Sequence, residues 1–362
     1  VNRRDSVRQL FTSYCLLFHH SLPTTEYMSA IARKLTPFII FIALIVVIIF
    51  LGNRRDFGPQ QYGQFILDGI RGGTIYALVA LGLVVIHNVT GIVNFAQGAF
   101  VMLGAMITAD VYSREWPIGD TPKMIVAILI AVVVTTIIGI LFERLAIYPA
   151  RNASPLTLII ITVGAYIVLQ GLALIYWGSG AQRLPAFSTL FSENARDTIY
   201  RPLGIVIKEQ SFWIWGTAAI AMGSLAWFFN RTILGKALRA CAINPKAARL
   251  MGISPNRMSM LSFALAALIG AIAGVVLAPA TSPIYDMGLR LGLKGFVAAI
   301  IGGFVSAPAA VIGGIFLGII ENLAAGVTNS GLKDIFAFII LILVLLYRPQ
   351  GILNNSDVTE KV

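Results

Sequence analysis

The chain predicts an all-α polytopic membrane protein of about 8–10 transmembrane or broken helices, with one short helix outside the membrane. Three observations lead there. First, 57% of its 362 residues are hydrophobic and 12% are charged, with a mean hydropathy of +0.84; soluble domains carry about 25% charged residues. Second, apolar runs close to the length that spans a bilayer recur along the chain. Third, the segment between Asn230 and Met258 holds six Lys or Arg residues (Arg231, Lys236, Arg239, Lys246, Arg249, Arg257) and no Asp or Glu. Basic residues between membrane spans are retained on the cytoplasmic side, which orients the molecule. The net charge of +11 is explained by such loops and does not call for nucleic acid.

In chain order, residues 1–34 read as a cytoplasmic N-terminal extension. Met28 opens a basic flank before an apolar run, so residues 1–27 read as a mis-assigned start. The span 35–52 lacks a small-residue cleavage signal and reads as a retained helix rather than a signal peptide. Further spans follow at 64–88, 91–111, 122–142, 155–178, 211–230 and 257–280, then 294–327 and 330–347. The stretch 294–327 is too long for one span and contains Pro308, which predicts two shortened helices or a broken pair. The membrane part covers 35–352, and 353–362 is a cytoplasmic tail. With the N-terminus inside and 294–327 crossing twice, the inside segments hold 15 Lys or Arg against 11 outside, a modest bias in the expected direction. Gly69 and Gly73, Gly270 and Gly274, and Gly314 and Gly318 form small-xxx-small pairs, which suit close helix packing within the chain or across a dimer.

The basic segment has its own architecture. Asn244 followed by Pro245 is a helix start, and Gly252 supplies a left-handed stop. A short helix over Lys246–Met251 follows, with Ala247, Leu250 and Met251 on one face. Ser254 and Pro255 repeat the start signal and launch the next span. Such a capped helix suits a groove in a protein partner, or an interfacial position on acidic lipid.

Gly235–Met258 resembles the coupling loop of bacterial ABC importer permeases. Lys246-Ala247-Ala248-Arg249-Leu250-Met251-Gly252 matches their E-A-A-x-x-x-G pattern, with Lys in place of Glu. Gly72–Ile107, with its Asn94-Phe95-Ala96-Gln97-Gly98 core, resembles an early segment of the branched-chain amino acid permeases. The stretch from Ile300 to Leu323 and the closing Arg348-Pro349-Gln350-Gly351-Ile352-Leu353 resemble their carboxyl-terminal segment. The resemblance covers about residues 64–353 and implies the permease subunit of an ATP-driven importer in the bacterial inner membrane. It implies cytoplasmic ATP-binding subunits docked on Gly235, Arg239, Asn244, Lys246, Ala247, Ala248, Arg249, Leu250 and Gly252. Ala247, Leu250 and Gly252 would fit the partner's groove, and Arg239, Lys246 and Arg249 would meet its acidic rim. A distinct second permease subunit and a periplasmic substrate-binding protein complete the assembly it implies. Other cargo for the same machinery, such as urea, short amides or a broader amino acid range, stays open, as does a secondary carrier or channel without an ATPase.

Four polar residues are candidates for a pathway or gate. Asn94 and Gln97 lie three apart, on one face if helical, with Thr90 and Gly91 placed to open that helix; capping or gluing helices is the other use of such amides. Glu321 and Asn322 sit deep in an apolar run, suited to interhelical hydrogen bonds or to the pathway. Asp68 and Arg71, at i, i+3 spacing, predict a local ion pair. Enzyme signatures are missing from the sequence: Gly235-Lys236 is followed by Ala237 and lacks the upstream glycine of a P-loop, and neither H-E-x-x-H nor G-x-S-x-G occurs. No cofactor or metal is therefore expected on this chain, with ATP and Mg belonging to the partner. Cys15 and Cys241 are too few and too far apart for a disulfide framework.

Overall fold

The computed structural model describes residues 57–117, 119–187, 199–201, 204–304, 306–347 and 351. The predicted extension at 1–34, the span 35–52 and the tail 353–362 lie outside the described residues. Among the described residues eleven α-helices run as α1 Pro59–Thr90, α2 Gln97–Ser113, α3 Asp120–Phe142, α4 Pro155–Trp177, α5 Glu209–Arg231, α6 Ile233–Ile243, α7 Pro245–Leu250, α8 Pro255–Thr281, α9 Met287–Gly302, α10 Ala307–Val327 and α11 Lys333–Tyr347. A π-turn, Glu143–Ile147, extends α3. A two-residue antiparallel ribbon, β1 Ile199–Tyr200 with β2 Ile207–Lys208, precedes α5.

Local chemistry sets the helix ends. Proline occupies the first turn of α1, α4, α7, α8 and α10, where its missing N–H has no partner to lose. Ser154 Oγ accepts the Thr157 N–H at 3.2 Å to start α4, and Ser306 Oγ accepts the Ala309 N–H at 3.4 Å to start α10. α1, α3 with its π-turn, α4, α5, α8 and α10 are long and apolar enough to cross a membrane.

The helices sort into a protein-facing core and a lipid-facing shell. α2 is buried along nearly its whole length, and α1 is buried without a break from Gly73 to Ile86. A helix that is apolar all round and enclosed by other helices belongs at the centre of a bundle. α3, α4 and α5 instead expose large side chains such as Leu129, Ile160, Val168, Ile175, Ile220 and Trp227, which the bilayer covers.

The core has an internal repeat. A long helix, a short non-helical break, a buried short helix and a third helix occur twice: α1–α2–α3 and α8–α9–α10. The packing pairs obey the same exchange. α1 packs on α10 as α8 packs on α3, α8 packs on α2 as α1 packs on α9, and α1 meets α8 while α2 meets α9. Gly98 and Gly288, each the second residue of its short helix, meet at the junction, where a Cβ on Gly98 would overlap the Gly288 carbonyl. α1 ends, and α8 begins, beside the basic segment, since Val89 and Met258 pack into one cluster there. The two units therefore run in opposite directions, the inverted arrangement that many transport folds use.

The glycine pairs serve this packing. A Cβ on Gly69 would lie 2.6 Å from Ile319 Cα, and one on Gly73 2.6 Å from the Gly314 carbonyl oxygen. Gly270 and Gly274 press in the same way on Phe100 and Val101 of α2. The contacts lie within the chain, which is the first of the two readings the spacing allowed.

Several expected boundaries differ. The span placed at 91–111 begins only at Gln97. Gly91 adopts φ +71° and closes α1 by donating its N–H to the His87 carbonyl at 2.7 Å, so Thr90 and Gly91 end a helix rather than open one. The stretch 294–327 divides after Gly302, with Gly303 left-handed at φ +81°, and resumes as α10 at Ala307; Pro308 lies in the first turn of α10 and does not itself break a helix. The first of the two helices starts earlier than expected, at Met287. α6 was not anticipated as a separate helix. Thr232 Oγ1 caps it by accepting the Gly235 N–H at 2.9 Å.

Candidate coupling loop and transmembrane pathway

The basic segment folds as two short helices held between α5 and α8. α7 is fastened at both ends. Asn244 Oδ1 accepts the N–H groups of Lys246 and Ala247, both at 3.0 Å. At the other end Ile253 N–H donates to the Ala248 carbonyl at 3.0 Å and Gly252 N–H to the Arg249 carbonyl at 3.1 Å, with Gly252 at φ +81°. That pair of bonds is the Schellman closure, and it satisfies carbonyls that a frayed end would leave to water. Ser254 occupies the next cap position without a side-chain bond, and Pro255 starts α8.

Predicted loop residues divide by burial. Lys246, Ala247, Arg249, Leu250 and Gly252 are exposed, as are all six basic residues of the segment. Leu250 is 89% exposed, Met251 82% and Ile243 83%, an apolar ridge ringed by cations. Ala248 and Gly235 are buried against the chain's own helices. Ala248 packs with Leu238, Cys241 and Met258 beneath the loop. A Cβ on Gly235 would lie 2.6 Å from Phe229 Cα, so this glycine lets α6 fold back on α5. Arg239 is exposed and donates to the Phe229 carbonyl, tying the same two helices together. Beyond the loop, Ser259 on α8 donates to Glu143 Oε1 at 3.0 Å, at the π-turn that ends α3. Loop, α8 and α3 thus form one connected unit.

Asn94 and Gln97 are both fully buried, at the break between α1 and α2. Asn94 is not helical, so the shared helical face expected for the two does not exist. Asn94 Oδ1 accepts the Ala96 N–H at 3.1 Å, which shapes the break, and Gln97 Nε2 donates to the Ala266 carbonyl on α8 at 2.9 Å. Asn94 Nδ2 and Gln97 Oε1 have no protein partner among the described residues.

Glu321 is fully buried on α10, and its partner is one the sequence did not single out. Lys294 on α9 donates to Glu321 Oε1 at 2.5 Å, to Asp334 Oδ1 at 2.6 Å and to the Tyr76 hydroxyl at 3.4 Å. All three ammonium donors of Lys294 are used. One network thereby ties α1, α9, α10 and α11. Lys294 stands among apolar residues in Leu291-Gly292-Leu293-Lys294-Gly295-Phe296; that placement was the only signal available. Asn322 faces another way. Its Nδ2 donates to the Gly318 carbonyl at 2.9 Å and its Oδ1 accepts from Lys333 at 3.3 Å. The predicted Asp68–Arg71 ion pair is present at 3.2 Å.

Residues 65–345 match the family model described as the branched-chain amino acid transport system / permease component. The chain belongs to that family. The high-affinity branched-chain amino acid transport system permease protein BraD of Pseudomonas aeruginosa is 34% identical over 309 residues, covering 83% of this chain and 98% of its own. LivH of Escherichia coli strain K12, named in the same terms, is 35% identical over 303 residues, with 83% and 97% covered. The ribose import permease RbsC of the same organism is 24% identical over 285 residues, covering 75% of this chain and 80% of its own. The chain is therefore a multi-pass inner-membrane permease component, and no enzyme family is indicated. The match runs from α1 to α11 and takes in the short buried helices α2 and α9.

Proposed function

We propose that this permease forms half of the membrane path of an ATP-driven importer for branched-chain amino acids. Cytoplasmic subunits bind and hydrolyse ATP with Mg, a periplasmic binding protein delivers the amino acid, and a distinct second permease subunit completes the path. The observation that carries the coupling is the loop. A helix fixed at both ends, with an exposed apolar ridge and a ring of cations, transmits force where a flexible connector would absorb it. Its bonds continue into α8, and through Ser259 and Glu143 into α3. Closure of the ATP-bound partner then acts on the core helices, and it drives the switch only by binding one conformation more tightly than the other. BraD and LivH, both above 30% identity, carry the branched-chain amino acid description, which favours that cargo over urea or short amides and an importer over a secondary carrier. The RbsC likeness shows that a related scaffold serves a sugar in that protein, so cargo choice rests in large part on the binding protein.

The test is co-purification. Leu250→Asp/Met251→Asp should insert normally and lose the ATP-binding subunits, because the ridge becomes charged. Retention of those subunits by the inserted variant would place the loop on the membrane surface instead and contradict the docking assignment.

A further inference from the structure

α8 leaves the coupling loop and rises 27 residues, about 40 Å at 1.5 Å per residue, to the opposite side of the bundle. There a cavity of about 400 Å³ opens among α1, α5, α8, α9, α10 and α11, within the usual size of small-molecule sites. Its lining is of two kinds. Arg71, Arg290 and Lys333 supply three cations against one carboxylate, Asp68, while Ile75, Ile214, Leu277 and Leu291 supply an apolar surface.

The cations differ in how firmly they are held. Arg71 is committed to Asp68. Arg290 reaches Asp286 only at 3.4 Å, with its side chain 59% exposed. Lys333 donates to the neutral amide of Asn322 and forms no ion pair among the described residues. Two cations in this cavity therefore have donors to spare. The last turn of α8 also lines it, at Ala280 and Thr281, with Ser282 just beyond. The final carbonyls of a helix lack intrahelical donors and carry partial negative charge. Spare cations, a negative rim and an apolar patch in one small cavity match a zwitterion with an apolar side chain. The Tyr76 hydroxyl, held by Lys294, places the buried Lys294–Glu321 pair directly behind this cavity.

We propose that this cavity receives the amino acid in transit. Lys333 and Arg290 hold its α-carboxylate, the negative end of α8 holds its α-ammonium, and the apolar part of the lining packs its side chain. The assignment rests on the importer reading and adds a site within the permease itself.

The experiment measures leucine uptake and ATP hydrolysis together in proteoliposomes holding the complete transporter and its binding protein. Lys333→Gln/Arg290→Gln is expected to lower leucine imported per ATP hydrolysed by about tenfold or more, since each lost donor weakens a charge-assisted contact, while ATP hydrolysis continues. Lys333→Arg/Arg290→Lys, which keeps both charges, should recover most of that ratio. If the double neutral variant does not insert, Lys333→Gln alone is read in the same way, because among the described residues Lys333 bonds a neutral amide and forms no ion pair. A neutral variant with the wild-type ratio overturns the proposal, as does a charge-keeping variant that loses as much as the neutral one. Wild-type vesicles that do not import leucine at all would instead overturn the importer reading on which the site depends.

Discussion

Cys241 shows how a residue reports on the loop above it. It is buried against Leu238, Ala248 and Met258, and burial pushes its thiol pKa up. A raised pKa leaves less thiolate at pH 7–8, and thiolate is the reactive form. Maleimide labelling of Cys241 in the native protein is therefore expected to be slow near neutral pH and to quicken as pH rises, with rapid labelling after denaturation. Equal rates before and after denaturation would show that the floor of the loop is open. Gly252 makes a second residue-scale case. Nothing lies within 4 Å of a Cβ built there, so an added side chain costs only its backbone, held at φ +81°. Gly252→Val should cost about 1–2 kcal/mol locally, loosening the end of α7 and lowering substrate-stimulated ATP hydrolysis in an inserted protein.

At the scale of the element, α7 and the α9–α10 pair make opposite demands. α7 has few buried contacts and depends on its ends. Asn244→Ala should cost about 1 kcal/mol and weaken coupling of ATP hydrolysis to uptake, with membrane insertion intact; unchanged coupling would mean that the loop does not need a rigid helix. The α9–α10 pair depends on a buried charge network. Lys294→Met leaves the fully buried Glu321 carboxylate without its cation, a loss of about 3–5 kcal/mol when one partner of a buried pair is removed. Thermal unfolding in detergent should fall markedly for Lys294→Met and much less for Lys294→Met/Glu321→Leu, which removes the buried pair. Equal destabilisation by the two variants would show that the network contributes packing rather than charge compensation.

For the whole molecule, the junction between the two repeats is the most constrained point. Gly98→Val should prevent normal assembly, because even a Cβ there overlaps the Gly288 backbone, whereas Gly171→Ala on the lipid-facing α4 meets nothing within 4 Å and should be silent. Expression and size-exclusion profiles of the two variants separate these outcomes. Features set by neighbours in sequence were legible beforehand: the all-α membrane class, the caps of α7, the glycine pairs and the Asp68–Arg71 pair. Features set by packing were not. Nothing local shows that Gly235 and Ala248 face inward, since α5, α6 and α8 decide that. Thr90 and Gly91 read as the start of a span, whereas Gly91 closes α1, and Lys294 finds Glu321 only once α9 folds against α10. The central claim concerns the assembled importer, and uptake tests it most directly. Vesicles holding this permease, its partner permease and the ATP-binding subunits should accumulate leucine against a gradient only when ATP and the binding protein are both supplied. Accumulation of leucine without the ATP-binding subunits would contradict the account.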